Sequence, residues 1–426
     1  MSKTMRKVAI LGGKRTPFVK SMGAYQKTTN QQMFTEVLNN LVTDYKLEGK
    51  KLGDVAGGAL ITNSADWNLT RESILGTKLH PHTPGYNVQR ACSTSLDTSL
   101  QIALKIAAGQ IDVGIAGGSD TNSDVPVTFS RSFAWKMIEL RNAKNFMQKL
   151  KVILSIRPKD LKPHFPNAGE KRTGKSMGDH CEMMVKEWKI PREAQDELTF
   201  ISHQNAAKAY KEGFYEDMVI NFKGLKRDGI LREDTTKEKL AKLKPAFDKT
   251  SGQGTLTAGN STPLTDGASA VLMASEEWAK ANNLPVLAYF VDAQVAALDF
   301  VHGEGLLMAP TIAVSELLKR NNLTLQDFDF YEIHEAFAGQ VLCTLKAWED
   351  PDYCKKVLGR DKPLGSIDRS KMNVKGGSVA LGHPFAATGA RIVASLAKIL
   401  NQNGKGRGLI SVCTAGGMGV VAIVEK

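Results

Sequence analysis

The feature that most constrains this chain is a pattern that occurs twice. In the first half, Cys92 precedes an apolar stretch with helical spacing (Leu96 to Ala108), a Gly-Gln turn and the strand-like run VGIAGG. In the second half, His383 precedes a similar stretch (Ala390 to Leu400), a glycine-rich turn and the strand-like run LISVCTAGG. Each copy sets one reactive side chain at the start of an apolar helix that feeds a buried strand. Two such units are expected to fold as similar α/β halves. Packed back to back, they would bring Cys92 and His383 together. A likeness this loose also fits two unrelated α/β segments.

The rest of the chain agrees with an alternating α/β order. VAILGG (8–13) reads as a first strand, residues 32–45 as an amphipathic helix and VGIAGGSD (113–120) as a buried strand. AYFVDAQVAA (288–297) reads as a strand, TIAVSELLKR (311–320) as a helix, and 409–425 as two short strands joined by a glycine turn. At 426 residues, two or three domains are expected, and a composition 42% hydrophobic and 23% charged is that of a globular protein. No apolar run is long enough to span a bilayer. The opening MSKTMRKVAILGG passes into a strand by Val8, leaving no room for a signal or transit peptide, so a soluble, cytoplasmic protein is expected.

Five cysteines (Cys92, Cys181, Cys343, Cys354, Cys413) are an odd set without CxxC spacing. They argue against a disulfide framework or a zinc site and leave room for a reactive thiol. No metal is implied. The net charge of +12 suggests anionic partners, but its distribution says more. Residues 131–162 hold nine Lys/Arg against Glu139 and Asp160, so this stretch alone carries +7. No nucleic-acid-binding motif accompanies it. The segment 129–250 is rich in Lys and Met and poor in strand signals. Within it Phe133, Met137, Leu140, Met147, Leu150 and Leu154 recur at spacings of three, four and seven, with basic residues between them. That is the pattern of a basic amphipathic helix, either packed on its own domain or docking on a membrane or partner.

Four constellations carry chemistry: RACSTS (90–95), HEAFAG (334–339), GGSVALGHPFAATG (376–389) and CTAGGMG (413–419). A thiol at a helix N-terminus feels the helix dipole and free N–H groups, which favour thiolate, and a histidine in reach takes its proton. His334 and Cys413 can act as oxyanion donor and as acid/base, and glycines after Cys413 let backbone N–H groups approach a reacting carbonyl. Taken singly, each also reads as a packing site or a turn.

Together and in this order, from KRTPF (14–18) to the last strand, they resemble the thiolase family. The family's GGxxALGHPxGxxGAR motif stands here as GGSVALGHPFAATGAR, with Ala386 where glycine is usual. Its CxGGGxG stands as CTAGGMG, with Ala415 replacing a glycine. MGDHCE (177–182), SHQNAAKAY (202–210) and 256–272 are further signatures. Most thiolases carry Asn-Glu-Ala-Phe where this chain has His334-Glu335-Ala336-Phe337. The HEAF form resembles the branch that includes the thiolase subunits of fatty-acid β-oxidation complexes.

The resemblance implies an α/β thiolase fold, two duplicated halves of five-layered αβαβα type with an inserted loop domain. The expected division is 1–128 plus 251–285, 129–250, and 286–426. It implies an acyltransferase with Cys92 as nucleophile, His383 as base, Cys413 as proton donor, and His334 with His383 as one oxyanion site, where either the His334 imidazole itself or an ordered water, as in the Asn enzymes, meets the substrate oxygen. The backbone N–H groups of Cys92 and Ala415 form the other. Coenzyme A is a co-substrate, with Met177 and Thr262 (serine is usual) lining its pocket, and no bound cofactor is implied. The resemblance further implies a homodimer or larger, pairing with a hydratase/dehydrogenase α subunit, and membrane contact through 131–162. Three rivals share parts of this pattern: a biosynthetic acetoacetyl-CoA thiolase, a ketoacyl synthase-like condensing enzyme, and a non-catalytic adaptor. Two cysteines favour carbon–carbon cleavage, which needs a nucleophile on one carbon and a proton for the other.

Overall fold

Along the first strand every residue is apolar or glycine until Lys14, and the two faces go to different places. Val8 and Ile10 point into one buried cluster, Ala9 and Leu11 into another. This period of two marks a strand covered on both sides. The computed structural model of the protein describes residues 5–166 and 169–426, so the first four residues of the opening segment lie outside it. Among the described residues the strands are β1 (Val8–Arg15), β2 (Val19–Lys20), β3 (Asp54–Gly57), β4 (Gly85–Asn87), β5 (Val113–Asp120), β6 (Thr265–Ser275), β7 (Ala288–Ala297), β8 (Phe330–Ile333), β9 (Arg407–Thr414) and β10 (Met418–Glu425).

Their order is β4-β3-β5-β6-β1-β7-β10-β9-β8, with β2 paired to β6. The duplication is exposed in this order. On one side β3-β5-β6-β1 runs parallel, antiparallel, antiparallel; on the other β8-β9-β10-β7 repeats the same sequence of pairings. β1 and β7 join the halves through three residue pairs, Val8–Phe290, Ala9–Tyr289 and Ile10–Ala288.

Five layers result. The helix Asn30–Asp44 buries Met33, Phe34, Val37, Leu38 and Leu41 on the outer face of the first half. The helix Ala309–Asn321 covers the outer face of the second. Between the halves lie the helices Thr94–Ala107 and Thr388–Asn403, which touch each other and strands of both halves. Their Leu96, Ile102, Ile392 and Leu396 share one core with Ile10, Met273, Ile410 and Val420. A Cβ added at Gly389 would lie 2.2 Å from the backbone nitrogen of Leu96, so the two central helices meet there at backbone contact.

The segment after β5 holds no named strand. Its basic part is two helices, Arg131–Asn142 and Phe146–Leu154, not the one continuous helix that the apolar spacing predicts. The break falls at Ala143–Asn145, because Asn145 starts the second helix by accepting the Gln148 N–H at 2.9 Å. Neither helix buries a residue, and Phe146, Met147 and Leu154 are 74%, 71% and 76% exposed. The pair packs on itself and on the turn Pro158–Leu161 and leaves much of its apolar side-chain surface exposed. Thr128 and His164 close its base through two reciprocal backbone hydrogen bonds. No helix among the described residues is long and apolar enough to cross a membrane.

Candidate active site

Cys92 sits in the single helical turn Ala91–Ser93 that leads into the helix Thr94–Ala107. Ala91 holds a left-handed backbone (φ 43°), a strained conformation for a residue with a Cβ. Local hydrogen bonds hold it there. Thr94 Oγ1 accepts the Arg90 N–H at 2.9 Å and donates to the Ala91 carbonyl at 2.8 Å, while Thr414 Oγ1 donates to the Arg90 carbonyl at 3.1 Å. The second copy repeats the device. The turn Phe385–Ala387 leads into Thr388–Asn403, two residues after His383. The two turns pack on each other, and the Cys92 turn also packs on β9, which carries Cys413. Asp120 helps to hold this arrangement. Its carboxylate accepts N–H groups of Leu60, Ile61 and Ala386, and burial pushes its pKa up to about 7.

The imidazoles of His334 and His383 lie against each other, centroids 4.1 Å apart and planes tilted by 54°. His334 follows β8 and donates its N–H to the Ser411 carbonyl of β9 at 2.8 Å; its Nδ1 meets Ser378 Oγ at 2.7 Å. His383 donates its N–H to Thr265 Oγ1 at 2.9 Å, and its Nδ1 meets Thr388 Oγ1 at 2.6 Å. Both Nε2 atoms are buried and have no hydrogen-bond partner among the described residues. Buried polar atoms are normally paired, so two orphans side by side mark a place prepared for something outside the chain. Glu335 serves the scaffold: it accepts from Ser202 Oγ, Asn373 Nδ2 and the Val379 N–H, pinning the HEAF loop to the GGSV loop.

The helix N-terminus favours a thiolate at Cys92, and burial of the site works against it. Burial pushes the Cys92 thiol up to about 12, which outweighs the lowering by the N–H of Ala415, the Thr414 hydroxyl and its own N–H. Burial, then the nearby Cys92, raises Cys413 as well. Burial, then the Arg391 charge, holds His383 down to about 3; burial, His383 and Arg391 keep His334 low. Burial thus favours a neutral thiol beside neutral imidazoles.

Cys92, Cys413, His334 and His383 thus converge, all less than a tenth exposed, and the Ala415 N–H faces the Cys92 sulfur. In the CTAGGMG turn only Gly416 and Gly417 are left-handed (φ 77° and 68°), so an alanine at 415 costs no strain. Thr262 lies on the HEAF loop, where its N–H and hydroxyl both donate to the Ala336 carbonyl at 3.0 and 3.1 Å. Met177 begins the helix Met177–Glu187 and packs beside the cluster that contains Cys413 and Phe337. Cys181, Cys343 and Cys354 are buried thiols raised by desolvation. Sequence reasoning assigned no role to Ser378, Thr388, Arg391 or Asp120. A lone arginine in the otherwise apolar run after Thr388 was the available signal.

Residues 8–277 match the thiolase N-terminal domain and residues 284–426 the thiolase C-terminal domain. A 3-ketoacyl-CoA thiolase of Shewanella sp. (strain W3-18-1) is 40% identical over 98% of this chain and 97% of its own. One from Yersinia pestis (strain Pestoides F) is 39% identical over the same shares. The crystal structure of the Bacillus anthracis acetyl-CoA acetyltransferase superposes with a TM-score of 0.82 at 30% identity, covering 100% of both chains. That of the human mitochondrial 3-ketoacyl-CoA thiolase gives 0.79 at 27%, covering 99% of each.

Proposed function

This chain belongs to the thiolase family and is an acyltransferase, and we propose that it cleaves 3-ketoacyl-CoA with CoA, yielding acetyl-CoA and an acyl-CoA two carbons shorter. The observation that carries the site assignment is the pair of orphaned Nε2 atoms beside two buried thiols. His383 Nε2 takes the Cys92 proton as the sulfur attacks the keto carbon, so charge forms only when it can be used. The oxygen on that carbon takes the charge between the N–H groups of Cys92 and Ala415. The C2–C3 bond then breaks. Its electron pair moves into the thioester of the departing acetyl unit, whose oxygen is held by His334 and His383. Cys413 gives its proton to C2. Incoming CoA loses its thiol proton to Cys413, attacks the acyl thioester, and releases Cys92, which recovers its proton from His383. CoA is a substrate throughout and no bound cofactor is needed.

Thiolysis measured on ketoacyl-CoA substrates of four to sixteen carbons tests the degradative role. Turnover of the longer chains is expected, and activity confined to the four-carbon substrate would refute it in favour of a biosynthetic acetoacetyl-CoA enzyme. The same reading carries a cytoplasmic homodimer, association with a hydratase/dehydrogenase subunit, Met177 and Thr262 beside CoA, and an insertion spanning 129–250 between the halves 1–128 plus 251–285 and 286–426.

We further propose that the insertion docks on an anionic membrane surface. Its support is the exposed apolar set Trp135, Phe146, Met147 and Leu154 alongside Lys144, Lys149 and Lys151. Each lysine near such a surface contributes about 1 kcal/mol, so neutralising all three should weaken partitioning onto anionic liposomes by roughly a hundredfold. Co-sedimentation unchanged by the triple substitution would reject the proposal.

A further inference from the structure

The two active-site histidines are wired differently on the side away from the orphaned atoms. Behind His334, Ser378 Oγ lies 2.7 Å from Nδ1, and Arg391 Nη2 donates to that same Oγ at 2.7 Å. All three side chains are buried. A guanidinium has only donors, so Ser378 accepts from Arg391 and keeps its own hydrogen to give. Among the described residues the acceptor that meets it is His334 Nδ1. The reverse assignment, with Nδ1–H donating to Ser378, would leave a buried hydroxyl hydrogen aimed at nothing. Behind His383, Thr388 Oγ1 lies 2.6 Å from Nδ1, and among the described residues no cation donates to it. That hydroxyl is free to accept from Nδ1–H or to donate to it.

We infer that Arg391 and Ser378 are positioning residues that lock His334 in its Nε2–H form, making it a fixed hydrogen-bond donor to the thioester oxygen of the departing acetyl unit, while His383 stays free to cycle its proton. The inference rests on the reading of His334 as an oxyanion donor given above. Arg391 is held in place for this task. Its guanidinium lies 3.9 Å from Glu332, which is on β8 two residues before His334. The relay therefore spans β8, the GGSV loop and a central helix. The positive charge of Arg391 also opposes a second proton on either imidazole, in keeping with their lowered basicity. An imidazolium at position 334 would still donate, but a neutral ring without the relay would present its lone pair to the oxyanion for part of the time.

The test compares two reactions that share Cys92 and His383. Thiolysis of a 3-ketoacyl-CoA breaks a carbon–carbon bond and needs the thioester oxyanion held. Exchange of isotopically labelled CoA into a simple acyl-CoA uses only acyl transfer on Cys92 and the N–H groups of Cys92 and Ala415. Ser378→Ala should lower kcat for thiolysis roughly tenfold to a hundredfold, leave KM within a few fold, and cost exchange at least tenfold less. Arg391→Lys, which keeps a charge and a donor, should retain more thiolysis than Arg391→Met. It is also the fallback if the serine variant fails to fold. Equal losses in both reactions would overturn the relay as merely structural. His334→Ala separates the two levels of the argument. If it lowers both reactions alike, the oxyanion reading of His334 fails. If it is selective for thiolysis while Ser378→Ala is not, only the relay fails. In the wild-type enzyme, selective 15N-histidine labelling, with the His334 signal assigned from His334→Gln, should find the proton on Nε2. A proton on Nδ1 would overturn the inference outright.

Discussion

The two halves of this molecule have the same strand order and the same device of a helical turn feeding a buried central helix, yet they contribute very different chemistry. The first half brings one reactive side chain, Cys92, on a strained turn. The second brings His334, His383 and Cys413, the side chains to which the proposed mechanism gives the proton transfers and one oxyanion. Duplication supplied a scaffold whose two turns pack against each other. The difference between the halves lies in what stands at each turn and, in the second half, in what β8 and β9 add beside it. A thiol and a base kept on separate halves cannot meet unless the central helices touch, and the contact of Gly389 with the Leu96 backbone permits that approach.

The strongest way to break the comparison is to remove one member from each half. Cys92→Ala should abolish both thiolysis and CoA exchange, because no acyl intermediate forms. His383→Ala should cost both reactions on the order of a thousandfold. Cys413→Ala should be unequal: carbon–carbon cleavage lost by about a hundredfold or more, exchange much less, since His383 can still handle the CoA proton. Steady-state rates for the two reactions settle the matter. Full thiolytic activity in the Cys413 variant would return it to the status of a packed thiol.

How much of this was legible in the sequence depends on how far apart the partners lie. The strand 288–297 and the strand pair within 409–425 were readable because apolar runs bounded by turns declare themselves locally. The four residues that the fold brings together were legible as candidates because each stands inside a short, specific motif. The protonation state of Cys92 was not. Burial under β9 and the Phe385–Ala387 turn, about three hundred residues away in sequence, pushes its pKa up, whereas the helix dipole that argues the other way is local. The link from Arg391 through Ser378 to His334 was hidden for the same reason. The break at Ala143–Asn145 was hidden by the apolar period, which carries across it, although the N-capping Asn145 stood in plain view.

A smaller effect sharpens the contrast between thiol and imidazole. Since Cys92 is held up to about 12 and His383 down to about 3, the pair rests uncharged across the physiological range. Alkylation of Cys92 by iodoacetamide should therefore climb roughly tenfold per pH unit between about pH 6 and 9, following the thiolate fraction. A rate already flat above pH 6 would indicate a resident thiolate–imidazolium pair and contradict this account. Stability should respond from the other side. His383 has a folded pKa below its unfolded value near 6.5, so the unfolded chain binds more protons in between. Its contribution is then complete above about 6.5 and is lost as pH falls toward 3. Thermal melts across that window should show the decline.

The smallest effect concerns Ala415, where the CTAGGMG turn departs from the family pattern. Ala415 lies outside the left-handed region that Gly416 and Gly417 occupy, so its Cβ imposes no strain on the turn and restricts the unfolded chain. Ala415→Gly should leave the N–H that faces Cys92 in place, keep thiolysis within about twofold, and lower stability by about 0.4–1 kcal/mol through unfolded-state entropy. A melt and a rate on the same preparation check both halves of the claim. A gain in stability, or a rate change beyond tenfold, would mean that Ala415 is strained after all and that its methyl group helps to aim the oxyanion donor.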